Sequence, residues 1–348
     1  MEKNENVTKE KSKFRCLICQ SDNVNKIYSD YPGYVEGTSF DIMKCDDCNT
    51  QFILAPSTPD KLYNAIYNLE SVPGYDRYKK YAKSILIEKE PLKFLSEQEF
   101  AYYAVYTYLK KRKVKSILEV GSGLGYFTYA LNKEGYQTLG IDISKVSIKK
   151  SIELFGPYYK LISLEKLSKQ TQQKFDLIIM TEVIEHIDSP REFISACLPL
   201  LNQNGVILLT TPYYYNVNKI WETDLPPVHR FWFSEKSFIY LSRNFGLETS
   251  FIFPDKGCCR NLNLFIEYIV SKLRSNKLPK STLTSDMKYV FRTNYNRPSI
   301  FKRVIKNAIS RPVKYFSNGL YFKFIHEQPK RFIHEQPKSF AIILKCKY

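Results

Sequence analysis

The sequence of 348 residues lacks an apolar run that approaches the roughly 20 residues required by a membrane-spanning helix. It also lacks the apolar segment of a secretory signal, because residues 1–13 form a charged tail. These absences predict a cytoplasmic protein in a reducing compartment, whose 8 cysteines are not paired in disulfides. With 44% hydrophobic residues, the chain has enough apolar material to form a core.

Acidic residues are scarce in residues 256–338, which hold 18 Lys+Arg against 4 Asp+Glu, a net charge of +14. The rest of the chain holds 34 against 31, a net charge of +3. Within the basic segment, residues 299–310 predict an amphipathic helix that suits either an anionic membrane surface or packing on a core. The octapeptide KFIHEQPK (323–330) is followed at once by RFIHEQPK (331–338), and the proline in each copy favours an extended connector.

Four cysteines form two C-x-x-C pairs, Cys16 with Cys19 and Cys45 with Cys48, separated by 25 residues. This arrangement is typical of two knuckles that hold one tetrahedral zinc ion through four thiolates, although two unrelated pairs of reduced cysteines are the alternative. The intervening segment is too short to bury a core unaided, so metal binding would supply the folding energy of a module over residues 14–55. A closed four-thiolate site has no open coordination position, and the predicted zinc is therefore structural.

Further along the chain, apolar strands alternate with helical stretches, which predicts a doubly wound α/β sheet that binds ligands at the carboxyl ends of its strands. The predicted strands are Ile117–Val120, Thr138–Ile141, Phe175–Met180 and Val206–Thr211. A turn at Asn204-Gly205 is predicted to introduce the last of these strands. Residues 56–111, rich in Tyr, Lys, Leu and Ala, are predicted to form a helical linker.

The stretch ILEVGSGLGYF (117–127) places three glycines directly after the first strand: Gly121, Gly123 and Gly125. The spacing differs from a dinucleotide-binding fingerprint, because Tyr126 stands where the third glycine would be required. The loop also lacks the Gly-Lys-Ser/Thr ending of a phosphate-cradling loop. The glycines therefore indicate a close backbone approach to a ligand other than a dinucleotide.

Two acidic residues narrow the choice of ligand. Glu119 precedes the glycine turn, where it would repel a pyrophosphate but suit an ammonium group. Asp142 ends the second strand, where a carboxylate can accept hydrogen bonds from both hydroxyls of a ribose. Ser144 is placed to cap the helix that follows. A ligand with a ribose and an amine but no phosphate is S-adenosylmethionine.

These motifs resemble those of the class I S-adenosylmethionine-dependent methyltransferases. EVGSGLG (119–125) is similar to the first motif of the family, E/D-x-G-x-G-x-G, and GIDIS (140–144) to its ribose-binding strand end. FDLIIMTEVIEHIDSP (175–190) resembles the fourth-strand signature of the branch that includes ubiquinone-type and sugar methyltransferases. The stretch from Thr210 to Phe238 is similar to the segment that follows the fifth strand in that branch. Some sugar methyltransferases of this group also carry a cysteine-paired zinc module ahead of the core.

The resemblance implies a Rossmann-like sheet of seven strands with an antiparallel last strand. The methyltransferase core then covers residues 112–254, with Leu247–Phe253 as the sixth strand. Residues 339–348 supply the seventh strand, and residues 255–338 become a basic insertion before it. The cofactor-binding residues expected from the motifs are Glu119, Gly121, Ser122, Gly123, Gly125, Tyr126, Asp142, Ile143 and Thr181.

Methyl transfer depends mainly on orientation and desolvation, and a base adds a smaller factor when the acceptor is a hydroxyl or an acidic carbon. The chain has only 4 histidines, of which two lie in the duplicated octapeptides. His229 follows the fifth strand and is the candidate general base, with a loop anchor as the alternative. His186 follows the fourth strand and is either a direct participant or a structural helix-start residue. Glu182 lies closer to the strand end, within expected reach of cofactor or acceptor.

The leading hypothesis is methyl transfer to a sugar, a glycan precursor or another small metabolite, at the inner face of the membrane or free of it. The basic insertion suits phosphate-bearing acceptors. RNA methylation is an alternative, but the sequence lacks an Asp/Asn-Pro-Pro-aromatic motif and a Pro-Cys nucleophile. A non-catalytic binding protein is a third reading, and the intact Glu119, glycines and Asp142 argue against it.

Overall fold

The computed structural model describes residues 14–54, 58–68, 76–213, 224–253, 281–288 and 339–346. These residues begin with the strands Val24–Pro32 (β1), Ser39–Cys45 (β2) and Gln51–Ile53 (β3), and continue with the helices Asp60–Asn68 (α1), Asp76–Ser84 (α2), Pro91–Gln98 (α3) and Phe100–Lys111 (α4). The next elements alternate: Ser116–Val120 (β4), Tyr126–Lys133 (α5), Gln137–Asp142 (β5), Lys145–Phe155 (α6), Tyr159–Leu161 (β6), Leu164–Gln170 (α7), Phe175–Thr181 (β7) and Pro190–Cys197 (α8). The last elements are Leu201–Pro212 (β8), Phe231–Trp232 (β9), Glu235–Arg243 (α9), Leu247–Ile252 (β10) and Ser339–Cys346 (β11).

The main sheet has seven strands within the described residues, in the spatial order β10-β11-β8-β7-β4-β5-β6. Strand β11 runs antiparallel to both β8 and β10, whereas the other neighbouring strands are parallel. This arrangement confirms the predicted Rossmann-like sheet with an antiparallel last strand. Because its parallel strands all point the same way, the carboxyl ends of β4, β5, β7 and β8 meet along one edge of the sheet.

Apolar runs explain why these strands lie at the centre. Leu177, Ile178, Ile179 and Met180 of β7 are all fully buried, as expected for a parallel strand covered on both faces. Alternate residues face two different apolar layers. Leu177 and Ile179 pack in the layer that includes α2 to α6, whereas Ile178 and Met180 pack in the layer that includes α7 and α8.

Helix starts follow the expected capping chemistry. The Ser144 side chain accepts a hydrogen bond from the Ser147 N–H at 3.2 Å, which confirms its role as the cap of α6. Ser163 and Ser189 cap α7 and α8 in the same way. Each cap satisfies a backbone donor that the helix itself leaves unpaired, and each therefore sets where the strand ends and the helix begins.

A second, smaller sheet joins the N-terminal module to the rest of the protein. Its order is β1-β2-β3-β9, and all its pairs are antiparallel. The first three strands belong to the module that carries the C-x-x-C pairs, but β9 lies in the segment after β8. The Phe52 and Phe231 rings stack across β3 and β9 with their centroids 6.3 Å apart.

One detail of the strands differs from the sequence prediction. The predicted turn at Asn204-Gly205 lies inside β8, which already begins at Leu201. Asn204 has a φ of +66°, and the pairing of β7 with β8 shifts register between Phe175 and Leu177. The turn residues therefore form an irregularity within a longer strand, because pairing with β7 continues on both sides of them.

Part of the basic insertion packs on the N-terminal module. Leu283 is fully buried, and its carbonyl oxygen accepts a hydrogen bond from the Glu36 N–H at 2.7 Å. The Thr282 N–H donates to the Tyr34 carbonyl oxygen at 2.9 Å. The amphipathic stretch 299–310 and the duplicated octapeptides at 323–338 lie outside the described residues. Among the described residues, no helix is both long and apolar enough to cross a membrane.

Candidate functional site

The glycine loop lies at the carboxyl end of β4 and adopts a backbone that favours glycine. Gly121 and Gly123 have φ values of +75° and +50°. A Cβ atom on Gly121 would lie 2.7 Å from Cγ2 of Val183, so a side chain there would displace the loop after β7. A Cβ atom on Gly123 would meet no atom within 4 Å. The loop therefore packs tightly against Val183 at Gly121. At Gly123 its backbone is open and can be approached by a ligand.

Glu119 is buried beneath this loop, with only 2% of its surface exposed. Its Oε2 atom accepts a hydrogen bond from the Thr128 hydroxyl on α5. Burial raises the pKa of Glu119 to about 8, against the opposing effect of the Thr128 hydrogen bond. The carboxyl group is therefore mostly protonated at neutral pH, and a cation beside it would favour its ionised form.

Asp142 joins the end of β5 to the glycine loop. Its Oδ2 atom accepts the Gly123 N–H, and its Oδ1 atom accepts the Ser144 N–H, both at 2.8 Å. Each carboxylate oxygen has a second lone pair with which to accept from a ligand hydroxyl. Burial raises the pKa of Asp142, although these backbone hydrogen bonds oppose the shift. Ile143 follows with 76% of its surface exposed, so an apolar face lies beside a carboxylate that can bind a diol.

The other residues predicted to contact the cofactor include Tyr126, Ser122 and Thr181, and they differ in burial and in their hydrogen-bond partners. The Tyr126 hydroxyl lies 2.5 Å from the Tyr102 hydroxyl of α4, so its phenol is occupied in packing between α4 and α5. Ser122 is buried, and its N–H donates to the Ile141 carbonyl oxygen at 3.0 Å. Thr181 ends β7 and is half-buried. The Tyr126 side chain packs between helices α4 and α5, so only its backbone is available beside the glycine loop.

A second cluster lies after the carboxyl ends of β7 and β8. The rings of His186 and His229 meet edge to face, with centroids 4.5 Å apart. Oε1 of Glu185 lies 3.7 Å from Nε2 of His186. The His186 Nδ1–H donates to the Val228 carbonyl oxygen at 2.7 Å, which leaves Nε2 with the lone pair of the neutral ring. One ligand atom from each of Glu185, His186 and His229 lies within 4.8 Å of the others.

Burial controls the charges of this cluster. It lowers the pKa of His186 and of His229 to about 3, so both rings are neutral at neutral pH. It also raises the pKa of Glu185 well above its usual value. The Nδ1 atom of His229 is buried and has no hydrogen-bond partner among the described residues. Nε2 of the same ring lies 3.8 Å from Oδ1 of Asp224. The cluster therefore keeps His229 neutral, with Nδ1 unpaired among the described residues, and its three ligand atoms are close enough to hold a divalent cation.

Sequence analysis selected both histidines of this cluster but not Glu185. Glu182, the acid it selected, directly follows β7 with a φ of +55°, and its N–H donates to the Thr210 carbonyl oxygen at 3.1 Å. Glu185 is 1% exposed, and its Oε2 atom accepts the Thr211 hydroxyl at 3.0 Å. In the sequence, Glu185 could have been selected as a site residue because it directly precedes His186.

The four cysteines of the C-x-x-C pairs converge at one point. The Sγ atoms of Cys16 and Cys48 lie 3.5 Å apart, as do those of Cys19 and Cys45. All four sulfur atoms lie within 4.8 Å of one another. A tetrahedral zinc ion with Zn–S bonds of about 2.3 Å separates its sulfur ligands by roughly 3.8 Å. The four thiols therefore fit a structural zinc ion.

The central part of the chain is similar to a known family. Residues 95–250 match a family model described as a methyltransferase domain. That range contains the glycine loop, Asp142 and the histidine cluster, together with β4 to β9. These residues, just under half of the chain, are thus similar to a methyltransferase domain.

Individual relatives carry more specific names. The ubiquinone biosynthesis O-methyltransferase of Histophilus somni is 34% identical over 106 residues, which cover 28% of this chain and 44% of that protein. The mitochondrial enzyme of the same name from Bos taurus is 34% identical over 103 residues, which cover 27% of this chain and 28% of that protein. The chain thus spans less than half the length of these curated relatives. A solved S-adenosylmethionine-dependent methyltransferase from Thermotoga maritima covers 82% of this chain and 100% of its own, at 15% identity and a TM-score of 0.43.

Proposed function

We propose that this protein is an S-adenosylmethionine-dependent methyltransferase that acts on a sugar, a glycan precursor or another small metabolite. The observation that carries the proposal is the placement of two complementary clusters along one edge of the sheet. Glu119, bare backbone at Gly123 and Asp142 lie at the ends of β4 and β5. The histidine cluster follows the neighbouring strands β7 and β8. These two clusters support the proposal, because the first suits the cofactor and the second follows the neighbouring strands.

When bound, S-adenosylmethionine supplies a methyl group on a cationic sulfur, so transfer requires mainly an in-line acceptor and the exclusion of water. Asp142 would accept hydrogen bonds from the ribose hydroxyls, and Ile143 would offer its exposed apolar surface to the purine ring. Glu119 would balance the charge of the ammonium group. These residues bind and orient, and none of them takes part in proton transfer.

His229 is the proposed general base. Its Nδ1 atom lacks a hydrogen-bond partner among the described residues, and the ring is neutral at neutral pH. Burial makes this neutral imidazole a weak base, and Oδ1 of Asp224 lies 3.8 Å from its Nε2 atom. His186, fixed by its hydrogen bond to Val228, packs against the ring of His229 and limits its rotation.

Two observations bear on the acceptor. The matched relatives are named as O-methyltransferases, which supports a hydroxyl as the methylated group. The net charge of +14 in residues 256–338 supports an acceptor that carries phosphate. We further propose a cytoplasmic protein that contacts anionic membrane through residues 255–338, most of which lie outside the described part of the chain. A structural zinc ion on the four cysteines completes the proposal.

The test is label transfer from S-adenosylmethionine with an isotopically marked methyl group to a panel of acceptors. The panel contains nucleotide sugars, lipid-diphosphate glycans, small catechols and bulk RNA. We expect label in a sugar or small-metabolite acceptor. Transfer to RNA alone would favour the RNA methyltransferase reading, and salt-sensitive RNA binding would support it. A protein that shows neither heat nor stabilisation with millimolar S-adenosylmethionine would be a non-catalytic relative.

A further inference from the structure

The segment that carries His229 continues into the sheet of the four-cysteine module. Strand β9 pairs with β3, so that Phe231 lies opposite Phe52 and Trp232 opposite Gln51. The Ile53 N–H donates to the Arg230 carbonyl oxygen at 3.1 Å, which extends the pairing to the residue after His229. The backbone that follows His229 therefore forms the edge strand of the sheet to which the cysteine module belongs.

Side chains strengthen this junction at the metal ligands themselves. The carbonyl oxygen of Cys48 accepts hydrogen bonds from the hydroxyls of Ser234 and Ser237, at 3.2 and 3.3 Å. The Arg191 guanidinium on α8 donates to the carbonyl oxygen of Ile18, between Cys16 and Cys19, at 3.1 Å. Both C-x-x-C pairs are thus bonded to the methyltransferase domain through their backbone.

The same segment is held on its other side by the loop after β7. The N–H groups of Arg230 and Phe231 both donate to the Glu185 carbonyl oxygen, at 2.8 and 3.2 Å. The His186 ring donates to the Val228 carbonyl oxygen at 2.7 Å. Residues 228–231 therefore lie between two supports, the loop that carries Glu185 and His186 and the module that carries the cysteines.

The cofactor crevice has separate supports. The Tyr159 hydroxyl of β6 donates to the Gly125 carbonyl oxygen at 2.6 Å, and the Ser151 hydroxyl of α6 donates to the Gly123 carbonyl oxygen at 3.1 Å. The Gly121 N–H donates to the Ile141 carbonyl oxygen at 2.9 Å. All of these partners belong to the central domain, and loss of the module would leave them in place.

We propose that a zinc ion on the four cysteines positions His229 through β3 and β9, and that this dependence is confined to the acceptor side of the site. Without the ion, the four thiols lose the ligand that joins the two C-x-x-C pairs. Cys48 lies three residues before β3, so β3 loosens when this link is lost. Loss of β3 removes one of the two supports of residues 228–231. The dependence of residues 228–231 on the zinc ion follows from the fold. Its effect on methyl transfer rests on the proposed function.

The first test compares the zinc-loaded protein with the same protein stripped by a chelator. Hydrogen exchange of amides in residues 228–233 is expected to become at least about 10-fold faster, because a cooperative support is lost. Exchange in residues 121–127 is expected to change by less than about 2-fold, and the Kd of S-adenosylmethionine by less than about 3-fold. Unchanged protection of residues 228–233 would overturn the proposal, as would a protein that takes up no zinc. These readouts do not depend on methyl transfer, so failure of the proposed function would be distinguishable.

A second test keeps the zinc ion in place. The double variant Ser234→Ala and Ser237→Ala removes both hydrogen bonds to the Cys48 carbonyl oxygen and also weakens the cap of α9. Ser163→Ala is the matched control, because it removes the cap of α7, a helix that belongs neither to the module nor to the segment of β9. Exchange in residues 228–233 and kcat of label transfer are expected to change only in the double variant. Equal behaviour of the two variants would overturn the proposal.

Discussion

Replacing Glu119 with glutamine is expected to change how the stability of the protein depends on pH. The side chain is 2% exposed, and burial raises its pKa from 4.5 to about 8. Between these two values the folded state binds a proton that the unfolded state has lost. The free energy of unfolding therefore falls as pH rises through this range, and the loss is complete above the folded pKa.

The magnitude follows from the two pKa values. Each pKa unit corresponds to about 1.4 kcal/mol, so Glu119 should cost on the order of 3 kcal/mol of stability between about pH 5.5 and pH 8. Glutamine cannot ionise, has nearly the same shape, and keeps a carbonyl oxygen to accept from Thr128. The variant should therefore become more stable relative to the wild-type protein as the pH rises.

Urea unfolding followed by circular dichroism, at several pH values across this range, measures the difference. The histidines and the other carboxyl groups titrate in both proteins, so their contributions cancel in the comparison. Glu134→Gln is the matched control, because Glu134 is exposed at the end of α5 and should show no such trend. A difference between wild type and Glu119→Gln that stays constant with pH would refute the burial argument.

Three further predictions concern the cofactor, the base and the metal. Asp142→Ala should raise the Kd of S-adenosylmethionine by about 10- to 100-fold, because charged hydrogen bonds to the ribose are lost; an unchanged Kd in calorimetry would contradict the assignment. His229→Ala should lower kcat by about 100-fold while leaving that Kd in place, and full turnover with the true acceptor would remove the histidine as general base. Cys45→Ser should reduce bound zinc in metal analysis and lower the Tm, whereas a wild-type protein that contains no zinc would remove the structural metal site.

Local patterns were sufficient for most of the central domain. The apolar runs of β4, β5, β7 and β8 predicted four strands, and Ser144, two residues after β5, predicted a capped helix. The three glycines, which have positive φ in the structure, could be recognised as a ligand-binding loop from their spacing. The acids Glu119 and Asp142 then indicated the kind of ligand. Such features depend on residues adjacent in the chain, and the sequence displays them directly.

Short strands could not be predicted in the same way. Strand β6 has three residues and β9 has two, and neither is long enough to show a periodicity. Each exists because a partner distant in the chain offers its backbone groups, β5 in the first case and β3 in the second. The packing of Leu283 on the N-terminal module has the same origin.

The central strands along the chain, the side chains at their carboxyl ends and the two cysteine pairs could all be recognised from the sequence alone. Tertiary structure decided which acid lies beside the histidines, because Glu185 reaches His186 only after the loop following β7 has folded. It also decided that the phenol of Tyr126 packs against Tyr102 and that the cysteine module and His229 share a sheet. Burial and long-range strand pairing depend on residues that are far apart in the chain. Strand periodicity, helix capping and turns depend on residues that are close together in the sequence.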